Sequence, residues 1–145
     1  MKKVSSLFSI FLIGLFSLTF LSNGAFAQEE QEEVEGPKFE YKAENNRIDL
    51  GTMHLDGIEE VNLEIEFENK GNEPLVLSGV RACCGTNVRS YPEEPVYPGD
   101  TGVIKVYFRV APRPHNISRS VITMSNDPAG RKILRIGGRV EEKEE

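Results

Sequence analysis

Along the middle of this chain, apolar and polar residues alternate with a period of two. Val61, Leu63, Ile65 and Phe67 are interleaved with Asn62, Glu64, Glu66 and Glu68. Successive side chains of an extended chain point to opposite faces, so this run predicts a strand with one apolar and one polar face. Ile104, Val106, Phe108 and Val110 repeat the pattern against Lys105, Tyr107 and Arg109. Ser120, Ile122 and Met124 form a shorter stripe, and Leu134, Ile136 and Val140 a fourth. Further short strands are expected at 39–42, 47–51 and 75–80.

Turn chemistry separates these runs. Asn69-Lys70-Gly71-Asn72 ends the first long strand, and Pro74 limits the start of the next. Tyr97-Pro98-Gly99-Asp100 carries Pro and Gly at the central positions of a type II turn. Asn126-Asp127-Pro128-Ala129-Gly130 joins the last two strands. No stretch of this region has a helical period. Seven or eight short alternating strands predict an all-β fold, an immunoglobulin-like antiparallel β-sandwich over residues 38–140. The Cys…Trp…Cys core signature is missing, because there is no Trp and the two cysteines are adjacent.

The first 27 residues follow a different plan. Lys2 and Lys3 precede an uncharged apolar run at 7–21, which ends in Ala25-Phe26-Ala27. This is the layout of a secretory signal peptide, 1–27, cleaved after Ala27. The run is short for a spanning helix, which needs about 20 apolar residues; an uncleaved N-terminal anchor is the alternative. No cysteine lies near the cleavage position, so a lipoprotein anchor is not expected. The expected product is periplasmic or secreted, without stable membrane insertion, in an oxidising compartment. Its 118 residues suffice for one domain.

Charge is unevenly placed. The stretch 28–37 contains Glu29, Glu30, Glu32, Glu33 and Glu35, and the tail 141–145 is similar. Both bury too little apolar surface to offset chain entropy, and are expected to be a disordered acidic linker and tail. Between them, residues 36–140 carry 14 acidic and 14 basic side chains. The two acidic ends therefore carry the excess negative charge, which Lys2 and Lys3 reduce to the chain's net -6. A neutral domain without a basic patch is not expected to bind nucleic acid.

Candidate chemistry centres on Cys83 and Cys84. Adjacent Cα atoms lie about 3.8 Å apart across a trans peptide, whereas disulfides favour about 4.4–6.8 Å. A bridge between them would be strained and easily reduced. Three readings stand: a vicinal disulfide with a redox role, a soft-metal site for Cu(I), or small buried hydrophobes. A metal site would need His54 or His115, which no ligand spacing links to the cysteines. No CxxC motif, nucleophile elbow, phosphate loop or metalloprotease helix occurs. Glu64, Glu66 and Glu68 fall on a polar strand face, and Asn116-Ile117-Ser118 matches a glycosylation acceptor by a common tripeptide. No enzyme activity, cofactor or metal is expected.

The string Phe67-Glu68-Asn69-Lys70-Gly71-Asn72-Glu73-Pro74-Leu75 resembles the F-x-N-x-G-x-x-P-L element of a bacterial exported family. That family is the domain of unknown function numbered fifteen seventy-three, common in Bacteroidetes-type bacteria. The stretch from Pro98 to Phe108 is similar to its P-G-x-x-G-x-I-x-V-x-F strand. Ser125-Asn126-Asp127 is similar to its S-N-D turn, and Gly138-Arg139-Val140 to its closing G-x-V. The resemblance implies a domain like the immunoglobulin-like modules of the ASH and major-sperm-protein type, which bind proteins. The family's usual Cys-Gly-Cys-Thr stands here as Cys83-Cys84-Gly85-Thr86, which brings the two thiols together.

The leading expectation is a non-enzymatic exported module for protein interaction or envelope scaffolding. Its partner would be an envelope protein or glycan, met through an exposed sheet edge. The alternative is a copper-binding or redox-sensing protein that uses Cys83 and Cys84.

Overall fold

The computed structural model describes residues 35–56 and 59–142. The expected signal peptide 1–27, residues 28–34 of the expected linker and residues 143–145 of the expected tail lie outside the described residues. Eight strands follow in chain order: β1 Phe39–Tyr41, β2 Arg47–His54, β3 Glu60–Asn69, β4 Leu77–Ala82, β5 Thr86–Ser90, β6 Thr101–Arg109, β7 His115–Ser125 and β8 Lys132–Glu141. A three-residue 3-10 turn, Glu44–Asn46, precedes β2. The strands form two four-stranded sheets, ordered β1-β3-β6-β5 and β2-β8-β7-β4.

The period-two pattern explains the core between the sheets. Ile65 and Phe67 of β3 and Ile104, Val106 and Phe108 of β6 are buried from one side. Ile117 and Val121 of β7 and Leu134, Ile136 and Val140 of β8 are buried from the other. The Phe39 ring stacks on Phe67 at 4.6 Å and meets Tyr41 edge-on at 4.7 Å, both favoured aromatic geometries. Tyr41 brings its hydroxyl into the core, where it bonds to Thr123 Oγ1 at 2.7 Å.

The fold is the expected all-β sandwich, with one pairing of a different sense. β2 runs parallel to β8, while β1–β3, β3–β6, β5–β6, β4–β7 and β7–β8 are antiparallel. β2 and β8 come from opposite ends of the domain, so no hairpin imposes an antiparallel sense on them. β5 escapes the sequence pattern because Val88 is its only aliphatic residue; pairing with β6 extends it. β7 begins five residues before its sequence stripe, because Asn116 and Ser118 alternate with buried Ile117.

The ends of the domain are tied to its turns. Gly36 donates to Asn72 Oδ1 at 2.7 Å and accepts from the Asn72 N–H. Pro37 is buried, so the end of the acidic segment 28–37 packs as part of the domain. β8 takes up Glu141 from the tail, where it pairs with Arg139. Among the described residues, no helix is long and apolar enough to cross a membrane.

Candidate functional site

The two cysteines occupy the link between the sheets. Ala82 ends β4 in one sheet and Thr86 begins β5 in the other. Thr86 N–H donates to Cys83 O at 3.2 Å and closes a four-residue turn. Its central residues, Cys84 and Gly85, have φ of 62° and 79°. Positive φ at both central positions is the type I′ arrangement. Gly85 adopts it without steric penalty; Cys84 has a Cβ, and the left-handed region costs such a residue about 1–2 kcal/mol.

This turn sets the thiols side by side. Cys83 Sγ lies 2.7 Å from Cys84 Sγ and 3.0 Å from Ser120 Oγ, and the Cys83 N–H donates to Ser120 O at 3.0 Å. Both thiols are free, Cys83 half-buried and Cys84 exposed. Closing a disulfide of about 2.03–2.05 Å would require the sulfurs to move roughly 0.65 Å closer. The hydrogen bond from Cys84, then that from Ser120, with the charge of Arg119 adding to them, lowers the Cys83 thiol below its ordinary value. The same bond to Cys83, followed by burial, raises Cys84. One negative charge is thus favoured on the pair, at Cys83.

Strand register carries a row of side chains away from Cys83 across the second sheet. Ser120 of β7 faces Arg135 of β8, and Arg135 faces Arg47 of β2. These residues line an open cleft of about 510 Å³, together with Cys84, Asn116, Ser118, Arg119 and Gly137. A Cβ at Gly137 would meet Arg47 Nη2 at 3.1 Å, so the absence of a side chain there leaves room for the Arg47 guanidinium. Arg119 alternates inward with Ile117 and Val121, and its guanidinium carbon sits 4.4 Å from the Phe108 ring centroid. Its Nη2 donates to Arg109 O at 3.5 Å, and its buried Nε has no hydrogen-bond partner among the described residues.

No carboxylate among the described residues pairs with Arg47, Arg119 or Arg135. The outer face of the first sheet is the reverse. There Lys105 meets Glu64 at 2.7 Å, Arg89 meets Glu60 at 3.5 Å, Lys70 meets Glu68 at 2.9 Å and Lys42 meets Glu66 at 3.5 Å.

The structure brings Cys83 and Cys84 together and keeps both histidines away from them. His54 pairs with Glu141 in the β2–β8 register, and His115 Nδ1 bonds to Arg113 O at 2.7 Å. Neither lines the cleft. Among the described residues, no three His, Cys, Asp or Glu side chains gather as a metal cluster. A copper site would have two ligands and would face the repulsion of the guanidinium groups. Arg47 and Arg135 were not legible as a pair, because they are 88 positions apart in the chain and only the β2–β8 register joins them. The one signal was small residues beside them, at Ser118, Ser120 and Gly137.

The family described as Protein of unknown function (DUF1573) matches residues 41–140, and the chain belongs to it. No curated protein matches the chain. Among solved structures, it is similar to a protein of unknown function from Porphyromonas gingivalis W83, at TM-score 0.57 and 17% identity, over 77% of this chain and 50% of that one. It is also similar to the secreted serine protease VesC from Vibrio cholerae, at TM-score 0.54 and 13% identity, over 72% of this chain and 23% of that one. The chain spans half or less of these proteins, and at such identity the likeness shows the fold alone.

Proposed function

We propose that this DUF1573 member is an exported, non-enzymatic recognition module. On this reading it binds an acidic segment of an envelope protein in the cleft, against the outward guanidinium groups of Arg47 and Arg135. The observation that carries the reading is the contrast between the two outer faces. One neutralises its own charges strand by strand; on the other, Arg139 pairs with Glu141, but the cleft that holds Arg47 and Arg135 has no carboxylate in its lining. Arginine offers a planar fork of donors that matches a carboxylate in two places at once.

Sheet edges support partner binding less well. β1 has three residues and β5 five, β5 is irregular between Val88 and Ser90, β2 is bulged between Asp49 and Thr52, and β4 shifts register between Leu77 and Gly79. Short and bulged edges are the devices by which sheets discourage strand addition. The non-enzymatic reading is supported by the lining of the cleft, which has no carboxylate or imidazole to serve as general acid or base. Export is supported by the arrangement of Lys2, Lys3, the apolar run and Ala25-Phe26-Ala27.

The test is fluorescence anisotropy with a labelled ten-residue oligoglutamate. The protein should bind it with an affinity that falls as salt rises. An R47S/R135S double variant should bind it roughly tenfold more weakly, the equivalent of about 1.4 kcal/mol. Equal binding by the variant, or tighter binding of a neutral glycan, would overturn the reading.

A further inference from the structure

We infer that Cys83 is an S-thiolation site selective for disulfides of small anionic thiol peptides, with Cys84 as its hydrogen-bonding partner. The inference needs only the thiols and the cleft, and stands whether or not an acidic protein segment also binds there.

Two hydroxyl- or thiol-bearing neighbours converge on Cys83 Sγ, Cys84 Sγ at 2.7 Å and Ser120 Oγ at 3.0 Å. Each can donate its hydrogen to the same sulfur, which favours the thiolate there over the thiol. The lowering of Cys83 and the raising of Cys84 agree with this direction. The thiolate is the attacking form in disulfide exchange. Cys83 is half-buried and lines the cleft together with Arg135 and Arg47, so a reagent seated in the cleft lies against all three.

The register supplies the selectivity. Neighbouring strands lie about 4.7–4.9 Å apart. Arg135 stands two strands from the Cys83 line and Arg47 three, so their backbones lie roughly 10 and 14 Å away. An extended tripeptide spans about 10 Å. A thiol peptide joined through its sulfur to Cys83 can therefore place its carboxylates against these guanidiniums. A cationic disulfide would meet repulsion at the same place.

The exchange balances as follows. The Cys83 thiolate attacks one sulfur of the disulfide RS–SR. The RS–SR bond breaks, a Cys83–S–S–R bond forms, and RS⁻ departs and takes up a proton from solvent. Cys83 is oxidised and one half of the reagent is reduced. Displacement of the second RS⁻ by Cys84 would close a vicinal bridge across adjacent residues, whose Cα spacing of about 3.8 Å is shorter than relaxed disulfides use. The mixed disulfide is therefore the product that accumulates.

The experiment exposes the reduced full chain to glutathione disulfide, which is anionic, and in parallel to cystamine, which is cationic. Each rate is divided by that of a free cysteine peptide with the same reagent, and intact mass and peptide mapping locate the adduct. The expected result is one glutathione adduct per chain, on Cys83, with a normalised rate at least tenfold above that of cystamine. The preference should shrink in the R47S/R135S variant, and a C84S variant should still take the adduct at Cys83. An adduct on Cys84, a vicinal disulfide without adduct, or no charge preference would overturn the inference. Mapping on the unaltered protein decides the attacking thiol even if a cysteine variant fails to fold. Failure of oligoglutamate binding alone would leave this result unaffected.

Discussion

The carboxylate of Asp127 accepts the backbone N–H of Phe39 at 2.9 Å, joining two residues 88 positions apart. Asp127 lies in the turn before β8, and Phe39 opens β1 in the opposite sheet. The same side chain accepts the Ala129 N–H at 2.7 Å and faces Lys132 Nζ at 3.5 Å. One buried acid thus closes its own turn and fastens the first strand of the domain.

This arrangement predicts acid sensitivity. Burial opposes ionisation of Asp127, but the N–H groups of Phe39 and Ala129, with Lys132, outweigh it and hold the carboxyl below its ordinary 3.8. A carboxyl lowered in the folded state contributes stability that is present above its unfolded value and lost as pH falls through the folded one. Thermal unfolding should therefore show a falling midpoint as pH drops below about 4. D127A should lose about 1–3 kcal/mol at neutral pH and show a shallower acid dependence. An unchanged acid profile in D127A would contradict this role.

Asn69 is a second buried polar anchor, and it is fully satisfied. Its Oδ1 accepts from Lys38 at 3.2 Å and Gly71 at 3.0 Å, and its Nδ2 donates to Glu73 O at 2.7 Å and Val96 O at 2.9 Å. Removing it takes the Asn69 partner from Lys38 N–H, Gly71 N–H and Glu73 O, while Val96 O keeps the Leu75 N–H at 2.9 Å. N69A should lose about 2–4 kcal/mol by urea unfolding. N69D should also be impaired, since it keeps the acceptors, loses both donors and adds a charge. A loss of less than about 1 kcal/mol in N69A would show that water replaces these bonds.

Gly102 opposes Phe67 in the β3–β6 register, and a Cβ there would collide with the edge of the Phe67 ring at Cζ. Phe67 is fully buried, so its ring has little room to yield. G102A should destabilise by about 1–3 kcal/mol through overpacking. Part of that loss should disappear in a F67L background, read as a coupling in a double-mutant cycle. Strict additivity would contradict the steric account.

Tyr41 is pushed up to about 12, by burial first, against a smaller opposing effect of the Thr123 hydrogen bond. A folded phenol titrating above its unfolded value of about 10 adds stability that is complete below that value. The contribution is lost as pH rises from about 10 to about 12. Ultraviolet titration should find one tyrosine ionising late, and Y41F should remove that component. Four tyrosines titrating together near 10 would contradict the burial of this one.

Much of the fold was legible because strand alternation and burial obey one period. Ile65 and Phe67, Ile104 to Phe108, and Leu134 with Ile136 fell on the core face as their spacing required. β5 was not legible, since Val88 gives no alternation and pairing with β6 supplies what propensity does not. The parallel β2–β8 pairing was hidden for a related reason: no local turn encodes it. The cysteine pair was visible as a pair, but its surroundings were not. Ser120 lies 37 positions from Cys83, and Arg47 and Arg135 reach the cleft only through sheet register. Charge counting also concealed the cleft, because a domain with balanced totals can still set Arg47 and Arg135 side by side on one face.

The central claim is that the arginine-lined face, and not the self-paired one, meets the partner. The most direct measurement is a ¹H–¹⁵N correlation spectrum of the full chain titrated with the oligoglutamate peptide. The account predicts shifts concentrated at Arg47, Ser118, Arg119, Ser120, Arg135 and Gly137, abolished in R47S/R135S. Shifts confined to the outer face of β3 and β6, or none at all, would contradict it.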